Sequence, residues 1–223
     1  GGHLMRTRAA AGVGLLEAFG VEAHAGSARH AGQSAVRLMA ELIPAVEDLT
    51  NPVTGDFVTV GIVRGGRRRS VVPGHAACVV DVRAATTDGW RRLDETIAET
   101  VRRIAGPERA SWRAANHRPA VVHTEEARAL LGIIERAGEA LDLPIRTAES
   151  SAAGSSAFAA EMGLPTMDGM GPSGGALMTD HEFIEVPALA ERAALLALSV
   201  HLLAAQPDAA GLVRRQGCGR TPI

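Results

Sequence analysis

The spacing of apolar residues predicts two regions with different architectures. In the first region, stretches of β-type alternation and of helix-type three-to-four spacing follow the order strand, helix, strand, strand, helix, strand. The six segments are 13–23, 31–46, 57–63, 70–83, 90–104 and 110–122. This order predicts a split βαβ, ferredoxin-like lid domain over 13–122, with two helices on one face of an antiparallel sheet. Pro44 is expected to kink or end its helix.

The second region, 123–205, alternates strands and helices in a way that is typical of a parallel α/β arrangement. The segments are a helix over 124–141, a strand over 143–147, a helix over 154–162, a strand over 165–170 and a helix over 186–205. Two strands and three helices are few for an independent domain, because a parallel sheet needs cover on both faces. The predicted fold class is therefore α/β: a ferredoxin-like lid followed by an incomplete parallel α/β half-domain.

The two ends of the chain are predicted to lie outside these regions. Residues 1–12 are interpreted as a leader, of which Gly1–Met5 resembles a tag scar with Met5 as a plausible native start. Residues 206–223 carry Gly, Pro and Arg and are expected to form a loose tail.

Composition narrows the function classes. The net charge of -2 and the presence of four Phe, two Trp and no Tyr argue against a nucleic-acid surface, and the charge argues against an anionic-membrane footprint. Cys78 and Cys218 are the only cysteines, and this usage fits a reducing cytosol rather than a disulfide framework. The sequence contains no secretory signal and no run of about 18 apolar residues, so a cytoplasmic location without a membrane is expected.

Several motifs stand in an order and spacing that point to one family. They are Glu22-Ala-His-Ala-Gly26, Gly65-Gly66 followed by Ser70-Val-Val-Pro-Gly74 and Asp81-Val-Arg83, Gly154-Ser-Ser-Ala-Phe158, Leu164-Pro-Thr-Met-Asp-Gly-Met-Gly171, and Gly171-Pro-Ser-Gly-Gly-Ala-Leu-Met-Thr-Asp-His-Glu-Phe183. Together they resemble the M20 zinc aminoacylase and carboxypeptidase family, of the carboxypeptidase G2-like type. The resemblance covers its lid domain and the C-terminal half of its catalytic domain.

The resemblance also exposes departures at the metal site. The family loop Gly-Pro-x-Gly-Gly-x-x-His supplies a metal ligand where this chain has Met178, and a thioether is a poor zinc ligand. Ser155 replaces the Asp of a Ser-Asp-Ala element, and Ser70 replaces a lid Asn. The N-terminal ligand set of the family has no counterpart before Val13. We therefore expect this chain to bind no metal or other cofactor alone, with zinc only where a partner supplies ligands.

The resemblance implies roles for the remaining site residues. His24 corresponds to a lid histidine that reaches the active site of the other subunit and donates to the reacting carbonyl oxygen, an oxyanion role. Substrate contacts are expected at Ser70, Ser155, Ser156 and Met178, and at the backbone amides of Gly174 and Gly175. The alternatives are a satisfied surface histidine at His24 and an ordinary helix N-cap at Ser155 and Ser156.

Three functions remain open at this stage. The first is one half of a heteromeric enzyme that acts on a small amino-acid-derived substrate in a biosynthetic pathway, including a non-hydrolytic reaction such as intramolecular ring closure. The second is a non-catalytic scaffold or regulatory subunit that pairs with an active M20-like partner. The third is a remnant of a zinc-dependent amidohydrolase or carboxypeptidase. A homodimer through the lid domain is compatible with each of them.

Overall fold

The computed structural model describes residues 2–206 and divides them into two compact units. The sheet unit is Ala9–Ala120. The α/β unit combines residues 2–8 with residues 121–206. The predicted boundaries, 13–122 and 123–205, are thus shifted by a few residues at each end.

The sheet unit has the predicted split βαβ topology. Its elements are β2 (Ala10–Phe19), α1 (Ala35–Glu47), β3 (Phe57–Gly65), β4 (His75–Ala84), α2 (Thr87–Ala105) and β5 (Ala110–Arg118). The strands lie in the order β3-β4-β2-β5, and every neighbouring pair is antiparallel. The predicted fold class is confirmed by this arrangement.

Buried and more exposed side chains alternate along the strands, so the core of the sheet unit lies on one face of the sheet. In β4, the side chains of Ala76, Cys78, Val80, Val82 and Ala84 are at most 1% exposed, whereas the residues between them are half-buried. Buried side chains of α1 and α2 cover this face, because both helices carry an apolar stripe at three-to-four spacing.

Local signals fix the helix ends in the sheet unit. Ser34 Oγ accepts from the backbone N–H of Arg37 at the start of α1, and Thr86 Oγ1 accepts from Gly89 at the start of α2. Gly106, with φ of 73°, ends α2. Pro44 does not end α1, which continues through it to Glu47. A proline in the last turn of a helix removes one backbone amide donor, and only three residues of α1 follow Pro44.

The α/β unit begins with the residues that the sequence assigned to a leader. Leu4–Arg8 forms β1, which pairs in parallel with β6 (Thr147–Ser150). The Leu4 side chain is fully buried, and its N–H donates to Arg146 O at 2.9 Å. Residues 4–8 are therefore part of the fold, because an apolar residue inside a strand supplies both packing and backbone pairing.

The helices of the α/β unit agree with the pattern better than its strands do. Here α3 is Glu125–Ala140, α4 is Ser156–Glu161 and α5 is Val186–Ala204. The predicted strand over 143–147 lies instead at β6, and the one predicted over 165–170 is wrong, since only an isolated bridge joins Asp168 to Met5. Pro165 lacks an amide donor, and Gly169 at φ of 85° turns the backbone out of an extended path. A small hairpin of β7 (Gly174–Gly175) and β8 (Phe183–Ile184) was not predicted.

Helix α5 is apolar on both of its sides. Leu195 is fully buried beside Leu4, Leu131 and Ile134, yet Val186 and Val200 are 70% and 57% exposed. By length and composition alone, α5 is also the one helix among residues 2–206 that passes for a membrane span. Glu191 and Arg192 interrupt the apolar residues of α5, so the sequence still contains no unbroken run of about 18 apolar residues, and one such helix is weak evidence for a membrane span. The predicted tail, apart from Gln206, lies outside the described residues, as does Cys218.

Candidate functional site

In the sheet unit, a short two-stranded ribbon brings His24 and Ser70 together. His24 bridges Val71, and the N–H of Ala25 donates to Ser70 O at 2.9 Å. The N–H of Val72 donates to Ala23 O at 2.8 Å and extends the ribbon. The ribbon therefore presents two predicted site residues side by side, and both are exposed.

The backbone of the following turn fixes the state of the His24 ring. Its Nδ1 accepts from the N–H of Gly26 and of Ser27, each at 3.1 Å. A neutral imidazole that accepts at Nδ1 carries its proton on Nε2. The turn thus holds an exposed Nε2–H donor, which is the group that an oxyanion contact requires.

In the α/β unit, the glycines of the predicted anion loop form a hairpin. Gly174 pairs with Ile184 and Gly175 with Phe183. A Cβ on Gly174 would lie 2.2 Å from Phe183 O, so close strand approach explains the glycine. An anion contact at these amides remains a prediction.

Met178 lies on the loop between β7 and β8 with its side chain 97% exposed. Its backbone has φ of 63°, and its N–H donates to Glu182 Oε2 at 3.2 Å. The carboxylate of Glu182 therefore fixes the loop by bonding its backbone, and the thioether is left in solvent.

The side chains of the described residues do not fit the zinc centre that the resemblance implies. Within residues 2–206, no group of three or more His, Cys, Asp or Glu side chains is placed to hold a metal ion. His117 stacks on Trp90 in the sheet unit, with ring centroids 4.4 Å apart, whereas His123 belongs to the α/β unit.

Two polar residues that the sequence pattern did not single out, Arg8 and Asp168, hold the start of α4. Asp168 accepts from Arg8 Nε at 2.5 Å, from Ser156 Oγ at 2.9 Å and from the N–H of Gly169 at 2.7 Å. A Cβ on Gly154 would lie 2.6 Å from Asp168 Oδ2, so the chain passes close to the carboxylate. This network positions Ser156, whereas Ser155 is exposed and makes no capping hydrogen bond.

The network also shifts the titration of Asp168. Burial alone raises the pKa of this carboxyl, but the hydrogen bonds from Ser156, Gly169 and Arg8 and the charge of Arg8 outweigh burial and lower it. The signal for Asp168 was present in the Leu164–Gly171 motif. Arg8 was hidden because it fell within the supposed leader.

Residues 8–109 match the family model described as the peptidase dimerisation domain, of the M20 type. No curated protein sequence matches the chain.

Solved structures of peptidases and amidohydrolases share the fold. An aminopeptidase PepT from Bacillus cereus is 20% identical with a TM-score of 0.75, over 91% of this chain and 54% of that one. A tripeptidase from Staphylococcus aureus is 16% identical with a TM-score of 0.75, over 92% and 54%. An amidase of the hydantoinase/carbamoylase family from Burkholderia vietnamiensis is 19% identical with a TM-score of 0.64, over 89% and 49%. The chain thus spans about half the length of the structures it matches. The carboxypeptidase G2-like assignment stays a prediction.

Proposed function

We propose that this chain is an M20-peptidase-like subunit that contributes His24 to a composite, heteromeric enzyme acting on an amino-acid-derived substrate. The observation that carries the proposal is the contrast between a preset His24 donor and a metal loop in which Met178 replaces the ligand. The chain keeps a group that stabilises a reacting carbonyl and lacks a group that would activate water on zinc. Zinc enters only where a partner supplies its ligands, and a cytoplasmic location fits this role.

The apolar surface of the α/β unit supports a complementary protein segment. Besides the α5 side chains, Met162, Phe183 and Ile184 are 79%, 54% and 52% exposed. Apolar surfaces of this extent mark interfaces more often than free surface. The occupant that we propose is an α/β segment that adds strands and helices to β1 and β6, because a two-stranded parallel sheet is not self-sufficient.

His24 has a defined part in the proposed chemistry. Its Nε2–H donates to the oxygen of a carbonyl that gains negative charge during attack, and the amides of Gly26 and Ser27 keep the ring in that tautomer. When two reacting groups are held close together in the right orientation, this alone lowers much of the activation barrier. A non-hydrolytic reaction such as ring closure, in which an internal amine displaces a leaving group from the same carbonyl, is consistent with a site that lacks metal-activated water.

The sheet unit supports pairing between copies through one half of the β3 edge. Thr50 Oγ1 accepts from the N–H of Val58 and donates to its carbonyl, and Glu47 Oε1 accepts from the N–H of Val60. These side chains occupy the edge up to the bulge at Gly61. Beyond the bulge, Ile62 and Val63 are 53% and 54% exposed. A dimer formed by this domain is therefore proposed to pair along 61–65.

An apolar cavity of about 250 Å³ lies beside the open half of this edge. Val36, Met39 and Ile43 of α1 and Val63 of β3 line it. A Val63→Lys variant is expected to give monomers in sedimentation equilibrium, because it places a charge in this cavity. Val53→Lys, at a residue that is 95% exposed, serves as its control.

The test of the composite enzyme begins with native mass spectrometry of the tagged chain isolated from its source cells. A stoichiometric companion with metal-binding carboxylates and histidines is expected, and the purified complex is then assayed with His24→Gln and with His30→Gln as a matched control. A loss of about a hundredfold in turnover for His24→Gln alone supports the oxyanion role. A companion that is fully active by itself would instead establish a scaffold or regulatory subunit. Isolation of a stable chain without a companion contradicts the proposal of a composite enzyme.

A further inference from the structure

The sheet unit contains a cavity with charged side chains in its lining, next to the 61–65 edge that we propose for pairing. Its volume is about 370 Å³, and it lies at the ends of β3 and β4. Three of its lining residues are Gly65, Gly66 and Gly74, which leave backbone rather than side chains along the wall. A volume of this size falls within the range of small-molecule sites, about 300–1,000 Å³.

Among the residues that line this cavity, Arg64 and Arg67 carry two positive charges and Glu22 carries one negative charge. Arg67 Nη2 lies 2.5 Å from Glu22 Oε2, so these two lining residues neutralise one another. His75 Nε2 lies 3.1 Å from Glu17 Oε1. Arg64 also lines the cavity, and no hydrogen bond or ion pair of its guanidinium is found among residues 2–206. Arg68 and Arg69 follow at the exposed tip of the same hairpin and add to the positive potential.

Geometry favours an anion over a cation or a neutral ligand. A guanidinium presents donors in a fork that matches a carboxylate or phosphate group, and Arg64 has that fork available. The only lining carboxylate, Glu22, is occupied by Arg67. The cavity is larger than a bare ion, so a ligand with a short carbon skeleton can fill the space between Arg64 and His75.

We propose that this cavity binds the anionic group of a small metabolite, a carboxylate or a phosphate, with Arg64 as its principal cation. Arg67, oriented by Glu22, forms the second side of the site. The proposal concerns binding only and is independent of whether the chain takes part in an enzyme. Glu22 is two residues before His24, so one wall of the cavity belongs to the ribbon that carries the oxyanion donor.

The experiment is isothermal titration calorimetry of the whole chain with two probes, glutarate and inorganic phosphate. Sodium chloride at matched ionic strength is the control. Arg64→Gln is expected to weaken binding about tenfold, a loss of about 1.4 kcal/mol. Arg103→Gln, which removes an exposed arginine of α2 outside the cavity, is expected to bind like the native chain. Binding of only one probe supports the proposal and identifies the anion class.

A second variant makes the test independent of the first. Glu22→Gln releases Arg67 from its ion pair and is expected to tighten binding, whereas the control Glu41→Gln, on α1, is expected to leave it unchanged. Circular dichroism confirms that each variant is folded. The proposal is overturned by heat signals that sodium chloride reproduces, by no binding to the native chain at millimolar probe, or by equal effects of Arg64→Gln and Arg103→Gln.

Discussion

The sheet unit completes its own core, whereas the α/β unit leaves an apolar helix in solvent. Helices α1 and α2 turn their apolar stripes onto one sheet face and carry polar residues outside. Helix α5 has no polar side, and Leu189 and Leu196 are 45% and 48% exposed although Leu195 is fully buried. The contrast teaches that the sheet unit buries its apolar faces within itself, and it supports our proposal that the exposed side of α5 meets a partner segment.

Single truncations in the two cores give the largest expected effects. Leu42→Ala in α1 and Leu195→Ala in α5 each remove a fully buried side chain and are expected to cost about 2–5 kcal/mol of unfolding free energy. Leu196→Ala, one residue along on the exposed side, is expected to cost less than about 0.5 kcal/mol. Urea denaturation followed by circular dichroism measures all three. Equal costs for the two α5 variants would show that its exposed side is covered by the chain itself.

The Arg8, Ser156 and Asp168 network tests how firmly the α/β unit is held together. Asp168→Asn weakens a charge-assisted ion pair and is expected to cost about 2 kcal/mol at neutral pH. The folded-state pKa of Asp168 is lowered below its ordinary value of 3.8, so its stabilisation is present above that value and is lost as the pH falls through the folded pKa.

The pH dependence supplies the control for this variant. The difference in unfolding free energy between the native chain and Asp168→Asn is expected to be constant from neutral pH down to about pH 5 and to shrink below about pH 4. Asp142→Asn, in the turn after α3, serves as a comparison and is expected to show no such trend. A difference that grows on acidification contradicts the assignment.

The fold was predictable from the sequence where one apolar pattern packs against another element of the same unit. The alternation of β4 and the stripes of α1 and α2 point to the same core, so pattern and packing agreed. The strand predicted over 165–170 failed, because Pro165 and Gly169 break an apolar run that tertiary pairing does not rescue. The burial of Leu4 could not be foreseen, because a short strand at a chain end gains its stability from a partner, β6, far away in sequence.

The candidate site was predictable in residue type more than in geometry. The motifs pointed to His24 and Ser70, and the ribbon does place them together. The tautomer of His24 depends on two turn amides that no pattern of side chains reveals. Arg8 and Asp168 are 160 positions apart, so only the fold could join them.

A smaller effect is expected at the covered half of the β3 edge. Thr50→Val keeps the size of the side chain and removes both hydrogen bonds to Val58, at an expected cost of about 1 kcal/mol. Thr59→Val, on the same strand and exposed, is expected to be neutral because strands favour valine. Thermal unfolding in parallel samples compares the two variants. A neutral Thr50→Val result would show that water replaces the threonine without loss.

Thiol labelling distinguishes the two units with the least perturbation of stability. Burial, reinforced by the charge of Glu47, raises the pKa of the Cys78 thiol to about 11, and the side chain is 1% exposed. In a Cys218→Ser background, Cys78 is therefore expected to resist an aromatic disulfide reagent at pH 8, where about 0.1% of such a thiol is ionised. Adding Leu196→Cys introduces a thiol on the exposed side of α5, which is expected to react at once and to be protected when the partner segment binds. Fast labelling of Cys78 in the folded chain would mean that the sheet unit opens, and the contrast between a closed core and an open surface would then fail.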